Sequence, residues 1–88
     1  MKVLAICRTT PGTRMSDLLA HRASEARTLE AWRDSGTLVE AYSPGGPGAV
    51  LILDAPDEEC ADELLQALPM RRAGLIDVEL IPLHPLSY

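Results

Sequence analysis

Short apolar runs alternate with two longer stretches of helical period along this chain, and glycine or proline marks each change. Lys2–Thr9 is a short, mostly apolar segment ended by Thr-Pro-Gly, which predicts a buried strand. A turn at Pro11-Gly12-Thr13 follows, with Thr10 or Thr13 placed to cap the next element. From Arg14 to Ser35 the period is helical, and Gly36 stands where a helix ends. Such a helix is about 30 Å long, enough to cross a sheet. Thr37–Ser43 and Ala49–Asp54 predict a second and third strand joined through Pro44-Gly45-Gly46-Pro47-Gly48. No Gly-Lys-Ser/Thr follows that loop and the next element is a strand, so a hairpin is expected rather than a phosphate cradle. Pro56 and the acids Asp57, Glu58 and Glu59 suit the start of a second helix running to about Leu68, where Pro69 stops it. Leu75–Leu83 predicts the last strand, ended by Pro82 and Pro85. The order βαββαβ gives a ferredoxin-like α+β fold: one domain over residues 1–88, with a four-stranded antiparallel sheet and both helices on one face.

Two helices cover one face only, so the other face of a monomeric sheet should be polar. Ala49-Val50-Leu51-Ile52-Leu53 is apolar on both faces, and so is most of Val3–Cys7. The last strand puts Ile76, Val78 and Leu80 on one side, and Asp77 and Glu79, followed by Ile81, on the other. An apolar second face of this extent predicts a homodimer closed sheet to sheet.

Composition narrows the function. The net charge is −5, with six basic and four acidic groups in residues 1–36 but seven acidic and no basic ones in 37–70. That balance argues against nucleic acid binding, and Arg71-Arg72 is expected to be a solvated turn. No run approaches the roughly 20 apolar residues of a membrane span. Cys7 and Cys60 form no disulfide framework and predict free thiols in a soluble, cytoplasmic protein. No two of His21, His84, Cys7 and Cys60 have metal-ligand spacing, so no metal site is expected.

On the first helix, the apolar stripe contains Met15, Leu18, Leu19, Ala26 and Leu29, with Arg22 near its middle and Glu25 at its margin. A charge on a core-facing stripe is costly unless paired or bound to a ligand, which makes Arg22 and Glu25 candidate site residues. The competing reading is a structural Arg22–Glu25 contact at i,i+3. His21 is expected at the rim. Trp32 is most simply a core plug, and with Tyr42 and His84 it is a candidate for touching a substrate.

Residues 63–69 (ELLQALP) and 76–83 (IDVELIPL) resemble the C-terminal half of the muconolactone isomerase family. His84-Pro85 is similar to a His-Pro near that family's C-terminus, and Ser35-Gly36 after a long helix also matches. The resemblance implies a dimeric α+β barrel whose dimers can assemble into larger rings. It also implies a pocket between helices and sheet for cofactor-free proton transfer on a small lactone carboxylate. Glu25 aligns with an acidic position of the family, whereas Ser24 and Ala26 stand where basic residues are typical. The hairpin is rich in glycine and proline where the family has aromatics. The leading expectation is an isomerase-like enzyme acting on a lactone, enone or polyketide-type acid. In it Glu25 shuttles a proton, Arg22 holds a carboxylate or enolate oxygen, and His21 assists. A cofactor-independent monooxygenase acting on aromatic polyketides and a non-catalytic binding or assembly protein are the alternatives.

Overall fold

Strand β1 (Lys2–Thr9) is the organising element of the computed structural model, which describes residues 1–87; Tyr88 lies outside them. It pairs antiparallel on one side with β3 (Ala49–Asp54) and on the other with β4 (Ile76–Leu83). Strand β2 (Leu38–Tyr42) completes a four-stranded sheet in the order β2-β3-β1-β4. The helices are α1 (Met15–Asp34), α2 (Glu58–Gln66) and a short α3 (Pro69–Arg72). The expected βαββαβ fold is therefore present, with one extra helical turn before the last strand.

Alternation on the strands sets the core. Val3, Ala5 and Cys7 of β1, Leu51 and Leu53 of β3, Leu38 of β2 and Ile76 of β4 turn towards the helices and are buried. Ala61, Leu65 and Leu68 meet them from the α2–α3 side. The opposite face carries Leu4 between Ile52 and Ile81, and Ile6 beside Val50. These side chains are at most half-buried, and the Arg8–Glu79 ion pair at 3.0 Å bounds them at one corner.

Several local details depart from the sequence reading. Neither Thr10 nor Thr13 caps α1. The Asp17 carboxylate accepts the Arg14 backbone N–H at 3.0 Å instead. The two threonine hydroxyls share a hydrogen bond at 2.7 Å and lie 2.8 and 3.2 Å from the Gly74 and Leu75 carbonyls. One of them donates to its carbonyl and the other to its neighbouring hydroxyl, which ties the β1–α1 turn to the entry of β4. Helix α2 stops at Gln66 rather than Leu68. Asp57 is its cap, accepting the Cys60 N–H at 2.8 Å, and Pro69 opens α3 rather than merely ending a helix. Strand β4 runs through Pro82, because it is an edge strand and proline forfeits no ladder bond on the free side. Arg71 is not a solvated turn residue: its Nη1 is enclosed, 3.6 Å from Asp62 Oδ1, while Arg72 is exposed.

Gly48 marks a close approach of two backbones. It has φ +110°, and a Cβ there would stand 2.5 Å from the Cys7 carbonyl oxygen. Gly45 also has positive φ (+93°), but open space surrounds it. Gly48→Ala should lose about 1–3 kcal/mol from backbone strain, with the carbonyl clash added. Gly45→Ala should show strain without the clash. Urea denaturation of both variants checks this, and equal midpoints would refute the close-approach argument.

Candidate functional site

Helix α1 is twenty residues long and buries none of them fully. Its half-buried row is Asp17, Leu18, His21, Ser24, Glu25, Thr28, Leu29 and Trp32, of which five are polar. Ser24 and Thr28 satisfy their hydroxyls on the helix itself, donating to the His21 and Ser24 carbonyls at 3.0 and 3.1 Å. A face of this chemistry cannot be filled to core density against apolar strands. The space left beneath it is a cavity of about 270 Å³. Its floor is Cys7, Ala49, Leu51 and Ile76 from the sheet, with Gly48 at the edge. Leu18, Arg22, Glu25, Ala26 and Leu29 form the α1 wall, and Leu68 and Met70 close the far side.

Glu25 is the sole carboxylate on that wall. Its Oε1 accepts the Met70 backbone N–H at 3.1 Å, a contact between residues 45 apart in sequence. The donor has a local origin: Pro69 opens α3 without an N–H, so Met70 brings a first-turn N–H that no helical carbonyl can satisfy. Burial pushes the Glu25 carboxyl above its ordinary value of 4.5; the Met70 hydrogen bond and then the charge of His21 pull it partly back. His21 precedes Glu25 by about one turn, and its Nδ1–H donates to the Asp17 carbonyl at 3.0 Å. Beneath Glu25, burial, reinforced by the Glu25 charge and opposed by Arg71, pushes the Cys7 thiol up to about 11. Cys7 is therefore a neutral, weakly polar part of the floor at neutral pH and not a nucleophile.

Four expectations about α1 are corrected here. Arg22 is not in the middle of a buried stripe but exposed at the cavity mouth, and it makes no ion pair among the described residues. Among the described residues no ion pair or hydrogen bond joins Arg22 to Glu25, which turns inward to Met70. His21 is half-buried on the inner row rather than at the rim. Met15 and Leu19, expected on the inner stripe, are 59% and 56% exposed.

Of the other candidates, Trp32 packs partly buried against the core and does not reach the cavity. Tyr42 pairs with Val50 on the sheet face away from the helices, and its hydroxyl donates to Glu40. His84 lies with Met1, Lys2, Leu83 and Pro85 at the opposite end of β1, about 17 Å along the strand from Cys7. The structure thus puts Glu25 and Arg22 on the cavity wall and His21 one turn from Glu25 but off the lining, and brings neither Tyr42 nor His84 to them. Cys7, Gly48 and Met70 were missed as cavity residues. Cys7 was readable from its period-2 spacing with Val3 and Ala5, and Met70 from its place after Pro69.

No protein-family model matches the sequence, and no curated protein matches it. Two solved structures share its fold over almost the whole chain. One is a 5-chloro-2-hydroxyhydroquinone dehydrochlorinase from Burkholderia phenoliruptrix in complex with 2,5-dihydroxybenzoquinone. It has a TM-score of 0.78 and 17% identity, covering 96% of this chain and 94% of that one. The other is a muconolactone isomerase, with TM-score 0.78, 21% identity, and coverage of 99% and 94%. The resemblance expected from residues 63–84 therefore holds as a likeness of fold.

The raised Glu25 pKa carries a signed consequence for stability. The native state holds this proton more tightly than the unfolded chain. The resulting stability is complete below the unfolded value and is lost as pH rises through the higher folded value. Glu25→Gln keeps an acceptor for Met70 and removes the charge. It should therefore raise the melting temperature at pH 7, and the gain should vanish below about pH 4. Thermal melts of both proteins across this range provide the check. A variant less stable at pH 7 by the same margin as at pH 4 would contradict the assignment.

Proposed function

We propose that this protein is a small cofactor-free enzyme of isomerase type that moves a proton on a compact ring-bearing acid, a lactone or an enone. The observation that carries the reading is Glu25: one half-buried carboxylate, its pKa raised by burial, facing a cavity otherwise lined almost wholly by apolar groups. Only Oε1 is engaged by the protein among the described residues, which leaves Oε2 for a substrate proton. In this reading Oε2 removes the acidic proton at one end of the unsaturated carbonyl system, the γ-carbon of a conjugated enone or butenolide or the α-carbon of its β,γ-unsaturated isomer. The electron pair moves onto the carbonyl oxygen, and the resulting enolate is reprotonated by the same carboxyl at the other end of that system. The double bond shifts and no atom is gained or lost. Arg22 at the mouth supplies the cation for the substrate carboxylate or the enolate oxygen. His21 tunes the base through its charge. The two fold relatives, named for acting on a lactone and on a chlorinated trihydroxybenzene ring, support a compact oxygenated ring as substrate class.

We further propose that the working form is a homodimer closed through the apolar sheet face of Leu4, Ile6, Val50, Ile52 and Ile81, in a reducing compartment such as the cytoplasm. Two free cysteines fit that compartment. No helix among the described residues is long and apolar enough to cross a membrane.

Solvent deuterium uptake by a panel of butenolide and cyclic enone carboxylates, followed by NMR, tests the chemistry. Wild type should catalyse exchange at the acidic α- or γ-carbon. Glu25→Gln should slow it by at least about 100-fold with ligand affinity little changed. Arg22→Met should fold normally, since residue 22 is exposed, and weaken binding by about 10- to 100-fold. Equal uptake in wild type and Glu25→Gln would remove Glu25 as the base. Binding without exchange in wild type would make the protein a binding module.

Light scattering tests the assembly, with a mass at least twice the 9.5 kDa of one chain expected. Ile52→Lys, on the open face, should yield folded monomers. Leu51→Lys, at 1% exposure on the helix side, should destroy the core. A monomeric wild type at micromolar concentration would refute the closed-sheet reading.

A further inference from the structure

The cavity under α1 does not end at Arg22. A second hollow of about 440 Å³ opens outward from it. Leu18, Arg22, Gly48 and Met70 line both spaces, so they are two chambers of one site with Arg22 at the waist. The outer chamber is completed by Met15 and Leu19 of α1 and by Gly46 and Pro47 of the hairpin. Met15 and Leu19 stand one helical turn apart and leave more than half of their surface in water. Two large apolar side chains so placed, facing an apolar proline across a concave space, form a binding wall rather than a scatter of exposed residues.

Charge is distributed in the same order. Glu25 is the acid of the inner chamber, Arg22 is the one charged group of the outer chamber, and everything beyond Arg22 is apolar. A ligand matching this sequence has a ring with an acidic C–H at its inner end, a carboxylate in the middle and an apolar arm outside. A bare ring held between Glu25 and Arg22 would leave the apolar wall of Met15, Leu19 and Pro47 in water.

We propose that the outer chamber holds an alkyl or aryl substituent of the substrate, so that the enzyme acts on ring-bearing acids with an apolar arm in preference to the bare ring. This rests on the proton-transfer reading of Glu25 and adds the substrate class to it. Gly48 holds the hairpin end against the Cys7 carbonyl, which fixes Pro47 as the wall opposite Leu19. Specificity for the arm resides in Met15, Leu19 and Pro47, none of which takes part in the chemistry.

Isothermal titration of a butenolide carboxylate, and of its n-hexyl and phenyl derivatives substituted at the carboxylate-bearing carbon, tests the proposal. Wild type should bind the substituted ligands at least tenfold more tightly than the bare one. Leu19→Asn, at an exposed position that leaves the fold intact, should cancel most of that gain while the bare ligand binds and exchanges as before. Equal binding of bare and substituted ligands would overturn the arm chamber and leave the Glu25 reading standing. So would a gain that survives Leu19→Asn combined with Met15→Asn. If Leu19→Asn lowers the mass in light scattering with ligand affinities unchanged, a second copy covers this wall and the proposal fails. Binding of none of the ligands by wild type would overturn both readings together.

Discussion

The seating of α1 governs the rest of this molecule. A helix that crosses a sheet is normally drawn down by its apolar stripe until side chains interdigitate at crystal-like density. Here the row facing the sheet carries Asp17, His21, Ser24, Glu25 and Thr28 among only three large apolar residues. Desolvating those groups fully would cost more than the dispersion gained, so the helix rests on Leu18, Leu29 and Trp32 and stays partly lifted. One long-range hydrogen bond, from Met70 N–H to Glu25 Oε1, clamps it at that height. Cavity, carboxylate and raised pKa are three consequences of the same compromise between packing and solvation.

Loop contacts pin both ends of the turns around α1. The hairpin that borders both chambers is held at Gly48, where two backbones meet too closely for any side chain. At the start of α1, the paired hydroxyls of Thr10 and Thr13 fasten the turn from β1 to the Gly74 and Leu75 carbonyls. The Thr10 backbone N–H adds a bond to Leu75 at 3.0 Å. Loop hydrogen bonds and one close backbone approach thereby flank a helix that buries none of its residues fully.

The sheet faces the same conflict from its other side. Leu4, Ile6, Val50 and Ile52 form an apolar surface that the helices cannot reach, since all three helices lie on one face. Strand β3 is apolar on both sides: Leu51 and Leu53 are buried on the helix side, while Val50 and Ile52 stay half-buried on the open side. A strand without alternation is the sequence's own record of those two apolar sides.

The sequence by itself determined the order of elements, their approximate limits and the two-sided apolar strands. These follow from local rules: period 2 or 3.6, glycine at positive φ and proline at helix starts. It also singled out Glu25, Arg22 and His21 as charged or titratable groups near an apolar stripe. What it could not decide was the rotation of α1 about its own axis. A wheel drawn from apolar positions turns Met15 and Leu19 inward and centres Arg22, whereas the structure turns His21 and Glu25 inward and leaves Met15 and Leu19 in water. The difference comes from a donor that no local pattern contains. Pro69 leaves the Met70 N–H without a helical acceptor, 45 residues away along the chain, and the fold brings it against Glu25. Tertiary structure also separated residues that composition had grouped together, sending Tyr42 to the far face of the sheet and His84 to the far end of β1. Local propensity fixes where a helix is, but the partners available to its polar groups fix which side faces in.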